Sequence, residues 1–398
     1  MHHFARLAVF MTVVSLPLHI HGTVQATTPQ KERGDAAAEV LYFPPAGNEW
    51  DHVTPSAVGW DPSRIFDALE FAGQRGSSSV VILYRGRILA EQHWNRTTQP
   101  RLPNGKRNRY HWMRHGRDAR GHDIEDVASV QKSVVAILVG IAQHKGLLKT
   151  SDPVHQHLGF GWSRCEPSAE AQITLRHLLT MSSGLNEQLE FVARPGKRWR
   201  YNTAAYSRLL KCLVAVSGQD ANQLTRTWLT QPIGMNNSRW IPRSRQPTET
   251  ATNQWGFATS AHDLARFGLL ILAQGTWNDT GVLQDKHYLK TALSSSQDMN
   301  LAYGYLWWLN GQRSALRGGR KVPGSLNPQA PADTVAGLGA LGRKLWVVPS
   351  LHMVVTRLGD HPDRPNEPRF DREFWRLLMR AAPAQPGNAV RNKSDMPE

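Results

Sequence analysis

Ser129 and Lys132 lie three residues apart at the start of the segment 126–142, most of which is an apolar run of helical character. On a helix this spacing places both side chains on one face of the first turn. A lysine can deprotonate a serine hydroxyl when desolvation or a neighbouring cation lowers the pKa of its ammonium group, so the pair predicts a nucleophile with its base. The backbone N–H of Ser129, at the positive end of the helix, is also placed to hold the oxyanion that forms when Ser129 attacks a carbonyl.

The Ser-x-x-Lys spacing alone has low specificity, because it arises by chance about once in a chain of this length. An amphipathic helix with a polar first turn would show the same residues. Here, however, the spacing occurs once and meets a hydrophobic run at the correct end. We therefore predict a serine nucleophile at Ser129.

Residues 1–26 have the pattern of a secretory signal. Arg6 supplies the positive charge, residues 7–20 the apolar stretch, and Val24-Gln25-Ala26 a small-residue cleavage pattern. We expect a periplasmic or secreted protein that is cleaved near Ala26. No later segment is long and apolar enough to be expected to span a bilayer, and the remaining 372 residues (398 minus 26) are ample for two lobes.

The chain is strongly basic, since 47 Lys and Arg residues oppose 32 Asp and Glu residues and give a net charge of +15. Between positions 101 and 120, only Asp118 opposes a run of cations that consists of Arg101, Lys106, Arg107, Arg109, Arg114, Arg117 and Arg120. Such a run is most often a solvated loop, and the alternative is a patch that attracts anionic envelope polymers. Nucleic acid is not an expected partner, because an exported chain without a recognisable binding motif gives no reason for it.

Cysteine and histidine patterns indicate no metal site and no cofactor. Cys165 and Cys212 are the only cysteines, and whether they pair in an oxidising compartment stays open. His111 and His115 have the i, i+4 spacing of helical metal ligands. No His-Glu-x-x-His motif accompanies them and Arg114 lies between them, so we predict surface histidines.

Periodicity and turn residues place the other elements. Helices are predicted at 61–73, 173–180, 205–217, 260–273 and 370–381, and strands at 80–84, 88–94, 344–348 and 352–358. Strands near both ends with a helical middle predict an α/β fold of the α+β type, in which a sheet lobe (about 49–128 and 250–382) carries an inserted helical lobe (about 129–249). Residues 27–48 are predicted to be an extended lead-in and residues 383–398 a disordered tail.

A series of segments resembles the serine β-lactamase and penicillin-binding-protein superfamily, in the branch of class C β-lactamases, carboxylesterases and 6-aminohexanoate-dimer hydrolases. The segments are YRGRILAE, ASVQKSVVAILVG, ITLRHLLTMSSGL, PGKRWRYNTAAYSRLL, PIGMNNSRW, GFATSAHDLARFGLLILAQG, YGYLWW and GRKLWVVPSLHMVV. They span roughly residues 50–380. The resemblance implies a DD-peptidase/β-lactamase-like fold, with a five-stranded, mostly antiparallel sheet between helices and a site between the sheet and the helical lobe.

This resemblance also implies roles for residues of the first two motifs. Ser129 matches the acylated nucleophile, Lys132 its base, and Tyr201 the tyrosine of a Tyr-x-Asn motif, which moves protons at the leaving group and at the attacking water. A phenol acts as a base in this way only if nearby cations favour its phenolate. Thr203 stands where the family has its asparagine, with Asn202 one step earlier, and both are expected to contact the substrate.

The third motif of the family, Lys- or His-x-Gly, falls on residues 340–342. The resemblance implies that Gly342 keeps a close approach of the backbone to the substrate and that the N–H of Arg343 is the second oxyanion donor. Ala340 has no charge, whereas the cation of the family helps to bind the carboxylate of the substrate. This difference favours an esterase or small-amide hydrolase over a β-lactamase or cell-wall peptidase.

We therefore expect an exported serine hydrolase that cleaves a small-molecule ester or amide through a Ser129 acyl-enzyme, with Lys132 and Tyr201 as acid and base. A carboxylesterase or an amidase similar to 6-aminohexanoate-dimer hydrolase fits best. The alternatives are a β-lactamase or D-alanyl-D-alanine peptidase, and a catalytically silent relative that binds peptides. An α/β-hydrolase triad is disfavoured because no Gly-x-Ser-x-Gly motif is present, and His177, His262 and His352 are expected to be structural.

Overall fold

The computed structural model describes residues 41–47, 49–243, 253–317 and 319–383. The predicted signal peptide, most of the predicted lead-in and residues 384–398 of the predicted tail lie outside these residues. Within the described residues, no helix combines the length and the apolar character that a membrane crossing needs.

Six consecutive helices occupy the middle of the described chain, and strands lie mainly before and after them. The strands are β1 (Ser77–Tyr84), β2 (Arg87–His93), β3 (Arg114–Arg117), β4 (Asp123–Asp126), β5 (Arg239–Pro242), β6 (Trp255–Thr259), β7 (Thr276–Trp277), β8 (Thr280–Gly281), β9 (Trp308–Leu309), β10 (Ser314–Arg317), β11 (Arg320–Pro323), β12 (Val335–Leu338), β13 (Lys344–Val348) and β14 (Met353–Gly359). The helices are α1 (Pro62–Gln74), α2 (Arg109–Met113), α3 (Gln131–His144), α4 (His155–Leu158), α5 (Pro167–Glu170), α6 (Leu175–Leu179), α7 (Thr203–Ser217), α8 (Ala221–Thr225), α9 (Ala261–Leu272), α10 (Lys286–Ala292) and α11 (Phe370–Ala381).

The main sheet has the strand order β2-β1-β14-β13-β12-β9, and all neighbouring strands are antiparallel. Both predicted hairpins, β1 with β2 and β13 with β14, are therefore confirmed. The expectation of five strands is wrong by one, because the two-residue strand β9 extends the edge beside β12. Such a short strand carries almost no periodic signal in the sequence.

A second sheet has the order β3-β4-β6-β5 and was not expected from the sequence. Its strands have four or five residues each, and β5 falls inside the segment that was predicted to be a helical lobe. Strand β4 ends at Asp126, three residues before Ser129. The second sheet therefore fixes the backbone that leads into the predicted nucleophile.

Helices cover both faces of the main sheet. Capping residues determine where they begin, and their apolar residues pack against the sheet. Helix α1 is capped by Asp61, whose side chain accepts from the backbone N–H of Ser63 and Arg64, and it packs with α11 on one face. On the other face lies α9, and α3 belongs to the same hydrophobic core. All residues of α3 from Gln131 to Ala142 are buried, which explains why its sequence is apolar on every side.

A buried carboxylate links the two sheets. Glu125 on β4 is fully buried, and its Oε2 lies 2.8 Å from Nη2 of Arg343, just before β13, and accepts a 3.1 Å hydrogen bond from the N–H of Gly359 on β14. Its Oε1 accepts from the hydroxyls of Ser78 and Tyr110. A buried ion pair is stable only when each of its charged groups keeps its partners. The contacts of Glu125 therefore fix the position of the two sheets relative to each other.

Removing one partner of this pair should destabilise the fold strongly. Arg343→Met leaves the Glu125 carboxylate buried without its cation, so we expect a loss of about 3–5 kcal/mol in the free energy of unfolding, measured by urea denaturation. Adding Glu125→Gln should recover part of the loss, because the uncompensated charge disappears. Arg372→Met, at an exposed arginine of α11, is the matched control and should change stability by about 0.5 kcal/mol or less. An Arg343→Met chain as stable as the parent would show that the pair contributes nothing.

Candidate active site

Ser129 lies in a single 3-10 turn, Ala128–Val130, that precedes α3. The sequence placed it in the first turn of the helix itself, but the helix begins two residues later, at Gln131. The turn is held open by Ala128, whose φ of +50° is left-handed, and by Asp126, whose Oδ1 accepts a 2.9 Å hydrogen bond from the Ala128 N–H. A strained residue beside a predicted nucleophile is typical of a functional site.

Lys132 projects from the first turn of α3 towards this serine. Its Nζ donates to Ser129 Oγ at 3.1 Å, and the side chain is almost fully buried. The amine also lies 5.0 Å from the ring centre of Tyr201 and 4.5 Å from that of Tyr206. The predicted nucleophile and base therefore meet within hydrogen-bond distance, in a pocket with two aromatic walls.

Tyr201 completes the group, because its hydroxyl interacts with the Ser129 side chain. Burial raises the pKa of Tyr201 to about 12, and the contact with Ser129 only partly opposes this effect. The phenol is therefore neutral at physiological pH. The condition for Tyr201 to act as a base, a phenolate favoured by nearby cations, is not met, so Tyr201 is placed to act as a hydrogen-bond and proton donor.

Asn202 has a structural role, contrary to the expectation that it contacts the substrate. Its Oδ1 accepts from the N–H of Ala205 and so caps α7, while its Nδ2 donates to the carbonyls of Leu185 and Asn186 at 2.9 and 2.8 Å. All three contacts hold the start of α7 in place beside Tyr201. Thr203 is the first residue of that helix and is partly exposed, so its predicted contact with the substrate stays a prediction.

The structure does not support Arg343 as an oxyanion donor. Its backbone N–H is directed at the carbonyl of Ala340, 3.4 Å away, where it closes the turn between β12 and β13. Its side chain is fully buried against Glu125. The guanidinium therefore does not replace the charge that Ala340 lacks.

Residues 340–342 form a 3-10 turn beyond the end of β12. Gly342 has a φ of +75°, and a side chain there would meet Pro362 and the Arg357 guanidinium. Arg357 donates to the carbonyls of Leu341 and Gly342 at 3.0 Å each. Gly342 therefore serves the turn and its support rather than a substrate, and Ala340 is exposed on that turn.

The end of β12 that extends beyond β9 offers backbone donors instead. The N–H of Gly339 donates to the Arg343 carbonyl on the β13 side. Because successive N–H groups of a strand point to opposite edges, those of Leu338 and Ala340 point away from β13. A side chain at Gly339 would meet Val127 and Val130, so this edge lies against the turn that carries Ser129.

A buried polar network behind the serine was not found from the sequence. Arg243 donates to both oxygens of Asp126, at 2.7 and 2.8 Å, and to Oε1 of Gln131 at 3.1 Å. Nε2 of Gln131 in turn donates to the Tyr206 hydroxyl at 3.1 Å. The residues are far apart in the chain, and only the position of Asp126 and Gln131 around Ser129 would have drawn attention to them.

Aromatic rings form one wall of the site. Trp308 stacks on Tyr201 with ring centres 6.1 Å apart, and Tyr303 lies edge-on to both. Trp308 and Leu338 also line a cavity of about 850 Å³. The charged residues that line this cavity are Lys344, at the start of β13, and a group on or just before α11 that consists of Glu367, Arg369, Asp371, Arg372, Glu373 and Arg376.

The remaining predictions for cysteines and histidines can be compared with the structure. Cys165 and Cys212 are both free thiols. His177 completes a capping box of α6 with Thr174, which confirms a structural role. His111 is on α2 and His115 on β3, because the helix ends at Met113, so the i, i+4 relation on which a metal site there would depend does not exist.

Known proteins share both the sequence pattern and the fold. The profile of the Beta-lactamase family matches residues 63–379. A provisional penicillin-binding protein, PbpX, of Bacillus subtilis strain 168 is 30% identical over 129 residues, which are 28% of this chain and 32% of the relative. The matched region spans about a third of the length of this and of a further curated relative, penicillin-binding protein 4* of the same organism.

Solved structures resemble the fold at low sequence identity. A provisional 6-aminohexanoate-dimer hydrolase from Bacillus anthracis has a TM-score of 0.58 at 14% identity and covers 85% of this chain and 88% of its own. EstCE1, a hydrolase with promiscuous acyltransferase activity, has a TM-score of 0.57 at 14% identity, with 79% and 97% covered. The family profile covers most of the chain and the Ser-x-x-Lys pair lies within it, so the chain belongs to the Beta-lactamase family.

Proposed function

We propose that this protein is a serine hydrolase that cleaves an ester or a small amide through an acyl-enzyme at Ser129. The observation that carries the proposal is the 3.1 Å contact between the buried Lys132 amine and Ser129 Oγ. Burial disfavours a charged amine, which is the condition a lysine needs to act as a base. A silent binding relative would have no need of this contact together with the hydroxyl of Tyr201 beside it.

Acylation uses all three side chains. Ser129 Oγ attacks the substrate carbonyl while the Lys132 amine takes its proton, and the N–H of Ser129 with one from the β12 edge, at Leu338 or Ala340, stabilises the oxyanion. As the tetrahedral intermediate collapses, the Tyr201 hydroxyl gives its proton to the leaving oxygen or nitrogen and regains one from the Lys132 ammonium. Water then attacks the acyl-enzyme by the same route in reverse, which returns Ser129 and releases the acid.

The substrate is proposed to be a neutral ester or linear amide. Residues 335–340, along and just beyond β12, include no basic side chain, and Arg343 is buried against Glu125. A substrate carboxylate therefore lacks a cation on this strand.

Export and polymer binding stay predictions that rest on the sequence. Within the basic segment, Arg114 and Arg117 both bind Asp123, at 2.6 and 3.1 Å, and Arg107 lies over Trp112. Part of the charge is therefore committed inside the protein. These contacts reduce the charge that is available to an anionic polymer, and the choice between a solvated loop and a polymer-binding patch stays open.

Ser129→Ala should abolish hydrolysis of short-chain nitrophenyl esters and prevent labelling by a fluorophosphonate, because the substitution removes the nucleophile. Intact mass and peptide mapping of the labelled protein give the modified residue. Ser133→Ala is the matched control, since Ser133 is a buried serine of the same helix that donates to the Leu306 carbonyl. A label elsewhere than Ser129, or turnover that survives in Ser129→Ala, would contradict the assignment.

The pH dependence of kcat/KM should be that of a base that acts beside a neutral phenol. The Tyr201 hydroxyl must keep its proton to protonate the leaving group, so activity should fall with rising pH only when Tyr201 ionises, near its pKa of about 12. We therefore expect kcat/KM to reach an alkaline plateau without a falling limb below about pH 10. Lys132→Ala and Tyr201→Phe should each lose on the order of a hundredfold in rate.

Tyr84→Phe, at a partly exposed tyrosine on β1, is the control for the loss of a phenol and should retain the parent profile. A falling limb near neutral pH that disappears in Tyr201→Phe would mean that Tyr201 must be protonated to act and has a lowered pKa, and a rising limb that disappears in Tyr201→Phe would mean that it acts as a phenolate base. Full activity of Tyr201→Phe would leave that ring as packing only.

The purified chain should hydrolyse nitrocefin much more slowly than a nitrophenyl ester. Loss of charge-assisted hydrogen bonds to a substrate carboxylate costs about 1.5–3 kcal/mol, or roughly ten- to a hundredfold in binding. Steady-state kcat/KM for both substrates, with Ser129→Ala as the blank, measures the ratio. Efficient nitrocefin turnover that depends on Ser129 would identify a β-lactamase and overturn the preference for esters and amides.

A further inference from the structure

Three histidines from distant parts of the chain converge outside the catalytic group. His93 ends β2, His122 precedes β4 and His262 lies in the first turn of α9. One ring nitrogen of each lies within 4.8 Å of the others. The His93 and His122 rings are stacked with centres 3.5 Å apart, and the His262 ring is 5.4 and 5.5 Å from them.

A carboxylate faces two of these rings. Oε2 of Glu91 lies 2.6 Å from Nε2 of His262 and 3.2 Å from Nε2 of His93. On the far side of the His93 ring, Nδ1 lies 2.9 Å from the hydroxyl of Ser79. A hydrogen bond to one ring nitrogen leaves the other to face a shared point, as in protein metal sites.

The hydrogen bonds around His262 conflict when only protein groups are considered. Its Nε2 lies 2.6 Å from the Glu91 carboxylate and also 3.2 Å from Nη1 of Arg120, which is a donor. One nitrogen can donate to Glu91 or accept from Arg120, but it cannot do both. A cation between His262 and Glu91 would take the lone pairs of both groups, and the exposed Arg120 side chain could then turn to solvent.

We propose that His93, His122 and His262 bind a divalent transition metal ion of the zinc class, with Glu91 as the fourth, anionic ligand. Imidazole nitrogens with one carboxylate oxygen are a ligand set that zinc accepts in tetrahedral geometry. The ion would join β2, α9 and the loop that connects β3 to β4. Its role is structural, since it fastens the end of the basic segment to the main sheet and does not touch Ser129, Lys132 or Tyr201.

Metal binding can be tested on the full-length chain, purified without a polyhistidine tag and stripped with a chelator. Titration calorimetry with Zn²⁺ should show one tight site, and Zn²⁺ should raise the melting temperature. His93→Ala with His262→Ala should weaken binding by more than the 10- to 100-fold that loss of a partner of a ligand costs, and should abolish the thermal shift. His287→Ala, an exposed histidine on α10, should bind like the parent.

Two further measurements keep the proposal open to refutation if the double variant folds poorly. Co²⁺ added to the stripped parent chain should give intense visible bands of a tetrahedral, nitrogen-rich site, and Zn²⁺ should displace them. Glu91→Gln keeps the shape of the side chain and removes the charge, so it should bind Zn²⁺ about 10-fold or more weakly. Weak octahedral Co²⁺ bands, no tight Zn²⁺ site in the parent, or unchanged binding in either variant would each overturn the proposal.

Discussion

Two adjacent carboxylates at the end of β4 organise the site. Glu125 and Asp126 are both fully buried, and each holds one buried arginine. Glu125 binds Arg343 and so positions the turn between β12 and β13. Asp126 binds Arg243 through both oxygens and also accepts the N–H of Ala128. Since neighbouring residues of a strand point to opposite faces, one short strand connects the nucleophile's turn to the polar structure on both sides of it.

Burying two ion pairs is expensive, and apolar replacements of similar volume are often at least as stable. The position of these ion pairs indicates what they contribute to the structure. Ala128 adopts a left-handed φ, which costs of order 1 kcal/mol or more for a residue with a side chain. The Asp126 side chain bonds to its N–H, so the strained turn is held by a group that is itself fixed by Arg243. The fold thus uses polar contacts where packing alone would not determine the direction of Ser129.

The sequence predicts the parts of the site that are local. Ser129 and Lys132 are three residues apart, and the structure places Nζ and Oγ in hydrogen-bond contact. The hairpins and the helix caps are likewise local. Asp61 caps the start of α1, and Gly218 caps the end of α7. The predictions that were wrong concern features that depend on contacts between distant segments of the chain. The roles predicted for Arg343 and Gly342 came from counting residues back from the hairpin of β13 and β14. In the structure, residues 340–342 form a turn after β12, so other backbone N–H groups point away from β13.

The same limit explains why the second sheet and the histidine cluster could not be predicted. Strand β4 has four residues with the sequence DIED, and its acidic side chains oppose a strand assignment by propensity. The burial of Glu125 and Asp126 depends on arginines more than a hundred residues away in the chain. His262 was expected to be structural from its isolation in the sequence, and only the fold brings it to His93 and Glu91.

The pairing of Asp126 with Arg243 also bears on Lys132, the proposed base. A carboxylate that faced Lys132 would stabilise its ammonium form and prevent it from acting as a base. Arg243 neutralises Asp126, and Gln131, a neutral residue, carries the hydrogen-bond chain on to Tyr206, whose ring faces the amine. Aromatic faces attract an ammonium less strongly than a carboxylate does. The amine therefore lies beside the Ser129 hydroxyl and two aromatic rings, none of which fixes it in its charged form, as the proposed proton transfer from Ser129 towards the leaving group requires.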